Sequence, residues 1–144
     1  MSQKPVLDFV GDQQPVTVPA DATVARAARL MKENRISALL VTEGERLAGI
    51  FTERDAVFRV IAEGRDPGVT PVSEVMTRDP LVIDPGKPFA HALHMMFEGG
   101  FRHVPVVDNG RLLGMVSARD ALGPDMKEFM AELESRNHIG EILG

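Results

Sequence analysis

The chain contains 144 residues, carries a net charge of −5 and has no cysteine, and a chain of this length can bury roughly two thirds of its unfolded surface around one core. The absence of a block of basic residues argues against a nucleic-acid surface, and the absence of cysteine removes disulfides and thiol catalysis. No apolar run approaches the ~20 residues of a membrane span and no signal-peptide core follows Met1, so we expect a cytoplasmic protein without a membrane partner.

The first half of the chain predicts a strand, a helix, a hairpin and a second helix. Prolines exclude a helix from the first apolar segment, and apolar residues at helical spacing follow Thr23, a favourable N-cap. Two apolar runs around a Glu-Gly-Glu turn are typical of a hairpin. The predicted elements are a strand at 15–19, a helix at 23–34, hairpin strands at 38–41 and 47–51, and a helix from Thr52 to Gly64.

The second half predicts the same order after a linker rich in proline and glycine at residues 64–71. A short apolar-faced turn or helix at 72–76 leads into this half, and Gly99-Gly100 is expected to end its first helix. Its predicted elements are a strand at 81–83, a helix at 89–98, hairpin strands at 104–107 and 112–116, and a helix after Ser117. Each half is therefore a β-α-β-β-α unit, and the predicted fold class is α/β (α+β).

The two halves form a tandem repeat with an offset of 65 residues. The alignment needs no gap, and conservative apolar pairs lie between its identities. The identical pairs include Val10 with Val75, Pro15 with Pro80, Met31 with Met96, Val41 with Val106 and Gly49 with Gly114. Because a repeat unit this short seldom buries its apolar face alone, we expect the halves to pack on each other.

The most informative repeated motif runs from Gly49 to Ala56 and again from Gly114 to Ala121. In both copies an apolar strand passes into a hydroxyl residue and then into Arg-Asp. A turn of this kind aims backbone N–H groups and a carboxylate at one small volume, which could hold a ligand. The same Thr/Ser-x-x-Asp spacing is that of a capping box, in which the Asp bonds back to the N-cap amide and needs no ligand. The motif by itself leaves both interpretations open.

These features together resemble the cystathionine-β-synthase (CBS) domain. The resemblance rests on the repeated Arg-Asp motif, on the lead-in Val75-Met76-Thr77 and on the strand Arg102-His103-Val104-Pro105-Val106-Val107, and it covers about residues 10 to 130. Two such domains in tandem resemble a Bateman module, whose halves pack around a pseudo-twofold axis. The boundaries expected from the resemblance are 10–67 for the first domain, 75–132 for the second and 133–144 for a C-terminal tail.

The resemblance implies a regulatory protein that is not an enzyme and requires no cofactor or metal. As effector it would bind an adenosine-containing ligand, namely AMP, ADP, ATP, NAD or S-adenosylmethionine, in the clefts between the domains. The motif Asp would hold the ribose hydroxyls, the motif Thr or Ser would lie beside phosphate or ribose, and strand residues would enclose the adenine. The implied ligand-binding residues are Thr17, Val18, Ser37, Ala38, Thr52, Arg54, Asp55, Val82, Ile83, Arg102, His103, Val104, Pro105, Ser117, Arg119 and Asp120.

The two repeats differ at a pair of positions that bears on phosphate binding. Arg102-His103 occupies the place that Ser37-Ala38 occupies in the first repeat. A guanidinium pairs bidentately with phosphate, and histidine adds a donor or a charge near neutral pH. We therefore expect one strong nucleotide site, with the other weaker or vacant. The alternative interpretations are a solvated strand end for Arg102 and a satisfied, half-buried side chain for His103.

Metal and hydrolase chemistry receive little support from the residues. His91 and His94 have a helical spacing that can bind metal, but the matching Arg26 and Arg29 indicate a polar helix face, and no third ligand joins them. A serine, a histidine and an aspartate of the second repeat can be combined into a triad on paper, yet no nucleophile elbow is present.

Apolar residues continue at helical spacing from Asp120 to Leu133. They predict a helix that completes the second repeat or packs on a second copy of the chain. The resemblance implies a homodimer, with an unidentified effector protein as a further partner. A different class of function stays open, that of a ligand-free dimeric interaction module whose Ser/Thr-x-x-Asp turns are only helix caps.

Overall fold

The computed structural model describes residues 3–123 and 131–136 and confirms the α+β class with two repeats. The first half contains α1 (Leu7–Val10), β1 (Thr17–Pro19), α2 (Val24–Asn34), β2 (Ala38–Glu43), β3 (Arg46–Thr52) and α3 (Glu53–Asp55). The second half contains β4 (Thr77–Arg78), α4 (Phe89–Gly99), β5 (His103–Asp108) and β6 (Arg111–Ser117), with 3₁₀ turns at Val72–Glu74 and Ala118–Leu122.

The first repeat is built on a four-stranded sheet in the order β1-β2-β3-β4. Strands β1 and β2 are parallel because α2 connects them, whereas the hairpin makes β2 and β3 antiparallel. Thr23 caps α2 as predicted, since its hydroxyl accepts a hydrogen bond from the Arg26 backbone N–H at 3.2 Å. The apolar face of α2 carries Val24, Ala27 and Met31 into the core of this repeat.

In the described part of the second repeat, the sheet consists of the β5-β6 hairpin. The strand expected at residues 81–83 is reduced to a single parallel bridge between Ile83 and Val106. Two backbone hydrogen bonds of 3.0 Å hold Ile83. The expectation of a full strand is therefore wrong in extent, because Pro80 and Pro85 flank the segment and neither has an N–H for a ladder.

The helices that follow the two motifs are shorter than expected. After Thr52 the chain makes the single α-helical turn of α3 and continues as a π-helix from Ala56 to Ile61. After Ser117 it makes one 3₁₀ turn that ends at Gly123, where φ is +48°. Of the helix expected as far as Leu133, residues 124–130 lie outside the described residues, and 131–136 are helical.

Each repeat receives a short apolar segment from the other. From the N-terminal segment, Val6 and Val10 are buried in the core of the second repeat beside Phe89. From residues 72–77, which follow the linker and are called the linker segment below, Val72 and Met76 are buried in the core of the first repeat. The two segments match each other at the offset of 65 residues, so the repeat extends back to α1, an element that the sequence prediction missed. The expectation that the halves pack on each other is confirmed.

The motif glycine of the first repeat allows this linker segment to cross β3 at close range. A Cβ atom at Gly49 would lie 2.6 Å from the backbone oxygen of Thr77 and 2.5 Å from Sδ of Met76. Atoms at those distances overlap, so any larger residue requires the backbone at Thr77 to move.

The motif glycine of the second repeat faces a side chain instead of a strand. A Cβ atom at Gly114 would lie 2.7 Å from Oε1 of Gln13. That oxygen accepts a hydrogen bond of 2.9 Å from the Met115 backbone N–H. Gln13 thus occupies the position at the edge of β6 that β4 occupies at the edge of β3.

Candidate functional site

In the described part of the chain, two clefts lie between the repeats. Each combines the motif of one repeat with the lead-in of the other, that is, the segment at 13–16 or at 79–81. The Asp120 cleft, of 740 Å³, contains the motif residues 117–120 of the second repeat together with residues 13–16 and 35–38 of the first. Its volume lies within the range of about 300–1,000 Å³ typical of small-molecule sites. The Asp120 cleft is therefore large enough for a nucleotide.

The Asp55 cleft is the pseudosymmetric counterpart. It has a volume of 970 Å³ and contains the motif residues 52–55 together with residues 79–81 and 99–103 of the second repeat. The swapped arrangement follows from the exchange of lead-in segments, which places each lead-in against the motif of the opposite repeat.

Both carboxylate oxygens of Asp55 have partners within the protein. Its Oδ2 accepts hydrogen bonds from the backbone N–H of Thr52 at 2.9 Å and from the Thr52 hydroxyl at 3.1 Å, completing a capping box. Its Oδ1 lies 3.5 Å from Nε of Arg59. The Arg59 guanidinium is fixed in turn by the backbone carbonyls of Val75 and Met76. The Asp55 side chain is only 12% exposed, so it acts as a cap and has little capacity left for a ligand.

Asp120 is engaged on one oxygen only. Its Oδ2 accepts a hydrogen bond from the Ser117 backbone N–H at 2.8 Å, with the geometry of the same capping box. The residue that matches Arg59 is Pro124, which carries no charge. Within residues 3–123 and 131–136, Oδ1 of Asp120 makes no hydrogen bond or ion pair. Among the described residues, nothing prevents that oxygen from accepting hydrogen bonds from a ligand.

Replacing Asp55 with alanine should destabilise the protein more than replacing Asp120. Asp55→Ala removes the acceptor of the buried Thr52 N–H and the partner of Arg59, and we expect the free energy of unfolding to fall by about 2 kcal/mol. Asp120→Ala removes only a cap and should lower it by about 1 kcal/mol. Urea unfolding of both variants at pH 7 measures the difference, and equal losses would contradict the asymmetry.

The two clefts also differ in charge. The Asp120 cleft is lined by Arg35, Arg102 and Arg119 against two carboxylates, those of Glu53 and Asp120. The Asp55 cleft is lined by two arginines against three carboxylates. Those residues are Arg54, Arg102, Glu53, Asp55 and Asp79. The Asp120 cleft therefore has the more favourable potential for an anion.

His103 is a neutral group at the meeting point of the two clefts. Burial lowers the pKa of His103 below its ordinary value of 6.5, and the Arg102 guanidinium lowers it further. The carboxylates of Asp120 and Glu53 raise the pKa by less. Because desolvation dominates, the imidazole is uncharged at pH 7 when no ligand is present.

Ten of the sixteen residues implied by the resemblance line a cleft. In the Asp120 cleft they are Ser37, Ala38, Arg102, His103, Ser117, Arg119 and Asp120. In the Asp55 cleft they are Ser37, Thr52, Arg54, Asp55, Arg102 and His103.

The other six do not line either cleft in the described part of the chain. Val18 and Val104 are fully buried and Ile83 is 3% exposed, because these residues point into the two cores. The start of each expected strand and the residues just before it line the clefts, at 13–16 and 79–81. The six residues are Thr17, Val18, Val82, Ile83, Val104 and Pro105.

The Asp120 cleft contains further residues that the sequence prediction missed, among them Gln13, Arg35 and Glu53. Arg35 caps α2 in the left-handed conformation, with φ at +54°, and matches Gly100 of the second repeat. Glu53 directly follows the motif threonine. The repeat alignment could have indicated both, because each position changes charge between the repeats.

Comparison with known proteins identifies the family. A model of the CBS domain matches residues 8–62 and 72–123. The chain belongs to the CBS-domain family. It is a tandem CBS pair, a kind of module that is generally regulatory and not catalytic, and the resemblance seen in the sequence is confirmed.

The CBS pair is similar to proteins from bacteria, plants and archaea. It is 38% identical to the CBS domain-containing protein YhcV of Bacillus subtilis over 107 residues, which cover 74% of this chain and 76% of YhcV. It is 41% identical over 108 residues to CBSCBSPB3 of Arabidopsis thaliana, again over 74% of this chain but over 19% of the plant protein. The CBS pair thus spans about a fifth of the length of that plant relative.

A solved structure provides the comparison with a ligand. The CBS domain protein of Pyrobaculum aerophilum, in complex with AMP, superimposes with a TM-score of 0.74 at 25% identity, covering 92% of this chain and 99% of that one.

Among the described residues of the present chain, no helix is long and apolar enough to cross a membrane. The Nε2 atom of His94 lies 3.2 Å from Oε1 of Glu98, one turn further along α4.

Proposed function

We propose that this CBS pair is a sensor that binds an adenosine-containing ligand in the Asp120 cleft and signals its occupancy to a partner protein. The observation that supports the proposal is the hydrogen bonding of the Asp120 carboxylate. The Ser117 N–H fixes one carboxylate oxygen, and the other oxygen is unoccupied within the described chain. A ribose diol can donate two hydrogen bonds to one carboxylate, and the negative charge strengthens both.

The charge of the Asp120 cleft favours ligands that carry phosphate. Arg35, Arg102 and Arg119 outnumber the carboxylates there, and guanidinium groups recognise phosphate oxygens bidentately. Among the expected effectors, AMP, ADP, ATP and NAD therefore suit this cleft better than S-adenosylmethionine, whose sulfonium is a cation. The AMP complex of the Pyrobaculum aerophilum relative supports the same ligand class.

Isothermal titration calorimetry on protein freed of copurified nucleotide tests this function. AMP, ADP, ATP, NAD and S-adenosylmethionine are titrated separately at one ionic strength. At least one phosphate-bearing ligand should bind, and S-adenosylmethionine should bind more weakly. Absence of binding by all five ligands would support the alternative, an interaction module whose two motifs are only caps. The complete capping box at Asp55 is the observation that favours that alternative.

The affinity for a phosphate-bearing ligand should increase as the pH falls from 8 to 6. A phosphate beside His103 raises the pKa of the imidazole, which is low in the free protein, so binding takes up a proton in this window. For the uptake of one proton, the affinity should increase by no more than about tenfold for each unit that the pH falls. Calorimetry at several pH values measures it.

The matched control separates His103 from the titration of the ligand phosphate itself. His103→Gln should retain only the part of the pH dependence that comes from the ligand. His91→Gln, on the exposed face of α4, should behave as the wild type. Identical pH profiles for His103→Gln and the wild type would contradict the assignment.

We also propose that the CBS pair forms a homodimer. The π-helix presents a row of exposed apolar side chains, with Val57 49%, Phe58 57% and Ile61 71% exposed. Such a row is the kind of surface that a second copy of the chain can cover. A ligand between the repeats then reaches an effector protein by changing how the repeats pack, provided that it prefers one packing over another.

A further inference from the structure

The two clefts meet at four residues that line both of them, Ser37, Glu53, Arg102 and His103. Equivalent backbone hydrogen bonds hold these residues in place. The N–H of Glu53 donates to the carbonyl of Ser37, and the N–H of Ala118 donates to the carbonyl of Arg102, both at 3.0 Å. The pseudosymmetry of the repeats thus brings the same short segments of both halves to one junction.

The side chains at this junction are not symmetric. The first repeat supplies Ser37 and the second supplies Arg102 at the matching position, whereas Glu53 is matched by Ala118. Burial and Arg102 keep the pKa of His103 low. The junction therefore contains one permanent cation, the Arg102 guanidinium, and one carboxylate.

The Asp55 cleft has no equivalent cation of its own at the junction. Its other arginine, Arg54, lies over the ring of Phe58 with 5.3 Å from Cζ to the ring centroid. The same cleft also contains the carboxylates of Asp55 and Asp79. A phosphate in the Asp55 cleft would therefore depend on Arg102, which also lines the Asp120 cleft beside Arg35 and Arg119.

We propose that Arg102 is a single phosphate anchor shared by the two clefts, so that a phosphate-bearing ligand in the Asp120 cleft excludes a second one from the Asp55 cleft. This inference rests on the proposed function and specifies its regulation. A second phosphate, in the Asp55 cleft, would face the first phosphate and the Glu53 carboxylate with only Arg54 left to neutralise it, and the Arg54 guanidinium lies over the Phe58 ring. The coupling between the clefts is therefore negative for anionic ligands and reciprocal.

The stoichiometry of ADP binding tests the shared anchor. The nucleotide-free wild type should bind one ADP per chain, with a second ADP at least about 30-fold weaker, within the usual range of coupling between sites. Ser37→Arg supplies the missing guanidinium at the matching position and should raise the stoichiometry to two. Ser37→Gln, which adds length without charge, should remain at one.

A second variant keeps the test independent of how well Ser37→Arg folds. Arg102→Gln should weaken ADP binding by about 100-fold and leave adenosine, which has no phosphate, within about threefold. Thermal unfolding confirms that each variant is folded before titration.

The outcomes separate the shared anchor from the proposed function. Two equal ADP sites in the wild type, a folded Ser37→Arg variant that stays at one ADP, or an Arg102→Gln variant with unchanged ADP affinity would each overturn the shared anchor and leave the function standing. Absence of binding by any adenosine ligand overturns the proposed function, and the shared anchor with it.

Discussion

Gly49→Ala should be among the most destabilising single substitutions in this CBS pair. The new Cβ atom would lie 2.6 Å from the backbone oxygen of Thr77, so the linker segment must move away from β3. That segment carries Val72 and Met76 into the core of the first repeat. We expect the free energy of unfolding to fall by about 3 kcal/mol, the upper part of the range for overpacking. The melting temperature should drop by roughly 10 °C, measured by calorimetry or circular dichroism.

Gly114→Ala is the matched control in the second repeat. The atom nearest to its new Cβ is the side-chain Oε1 of Gln13 at 2.7 Å. The Gln13 side chain can rotate away, and the next atoms, Cβ and Cγ1 of the Val10 side chain, lie at 3.1 Å and need to yield only slightly. Gly114→Ala should therefore cost less, about 1.5 kcal/mol. Gly86→Ala, in an open turn where the closest atom is a side-chain oxygen of Asp84 at 3.3 Å, should change stability by less than about 1 kcal/mol. Equal losses at Gly49 and Gly114 would show that the linker contact is not what requires glycine.

Asp120→Asn should reduce the affinity for an adenosine nucleotide by about 100-fold. The substitution keeps an oxygen that can accept the Ser117 N–H, so the cap is preserved while the charge is lost. The free carboxylate oxygen becomes an NH2 group, which cannot accept the two charge-assisted hydrogen bonds from the ribose, and a loss of about 1.4 kcal/mol for each is tenfold, or about 100-fold together. Calorimetric titration with AMP or ADP measures the effect.

Asp55→Asn is the control with the same chemistry in the other cleft. Both oxygens of Asp55 are already engaged by Thr52 and Arg59, so this variant should change the nucleotide affinity by less than about threefold. Comparable losses in the two variants would indicate two equivalent sites. A loss of nucleotide affinity confined to Asp55→Asn would show that the ligand binds in the Asp55 cleft, which would contradict the proposed function.

The repeat made most of the fold predictable. Ungapped matching of the halves fixed the order of helix and hairpin in both, because the same apolar periodicity occurs twice. Local chemistry was equally informative at Thr23, which caps α2, and at Gly100, which ends α4 in the left-handed conformation. These features depend on neighbours in the sequence, which a single sequence displays directly.

What remained hidden depends on contacts between the halves. The burial of Val6 in the core of the opposite repeat leaves no local signal, since a single valine near the N-terminus has no periodicity. For the same reason the sequence did not show that the clefts are lined by the start of each predicted strand and the residues before it, at 13–16 and 79–81. The ion pair between Asp55 and Arg59 was also missed, although the match of Arg59 with Pro124 was visible in the alignment. Because Asp120 has no such ion pair among the described residues, its motif is the one proposed to bind a ligand.

The exchange of lead-in segments gives the proposed sensor a physical route for its signal. The Asp120 cleft is lined by Gln13, which contacts β6 of the second repeat through the Met115 amide. A ligand that moves this lead-in also acts on α1, because both belong to one short segment that packs on the second repeat. The ligand shifts the packing only as far as its affinities for the two arrangements differ.

The most direct test of the account is a crystal structure of nucleotide-free protein to which one equivalent of ADP has been added. We expect ADP in the Asp120 cleft, with ribose hydroxyls within about 3.2 Å of the Asp120 carboxylate and a phosphate against Arg102. The Asp55 cleft should contain no nucleotide, and the Asp55 carboxylate should remain paired with Arg59. ADP bound in the Asp55 cleft, or ribose hydroxyls directed away from Asp120, would contradict the central claim.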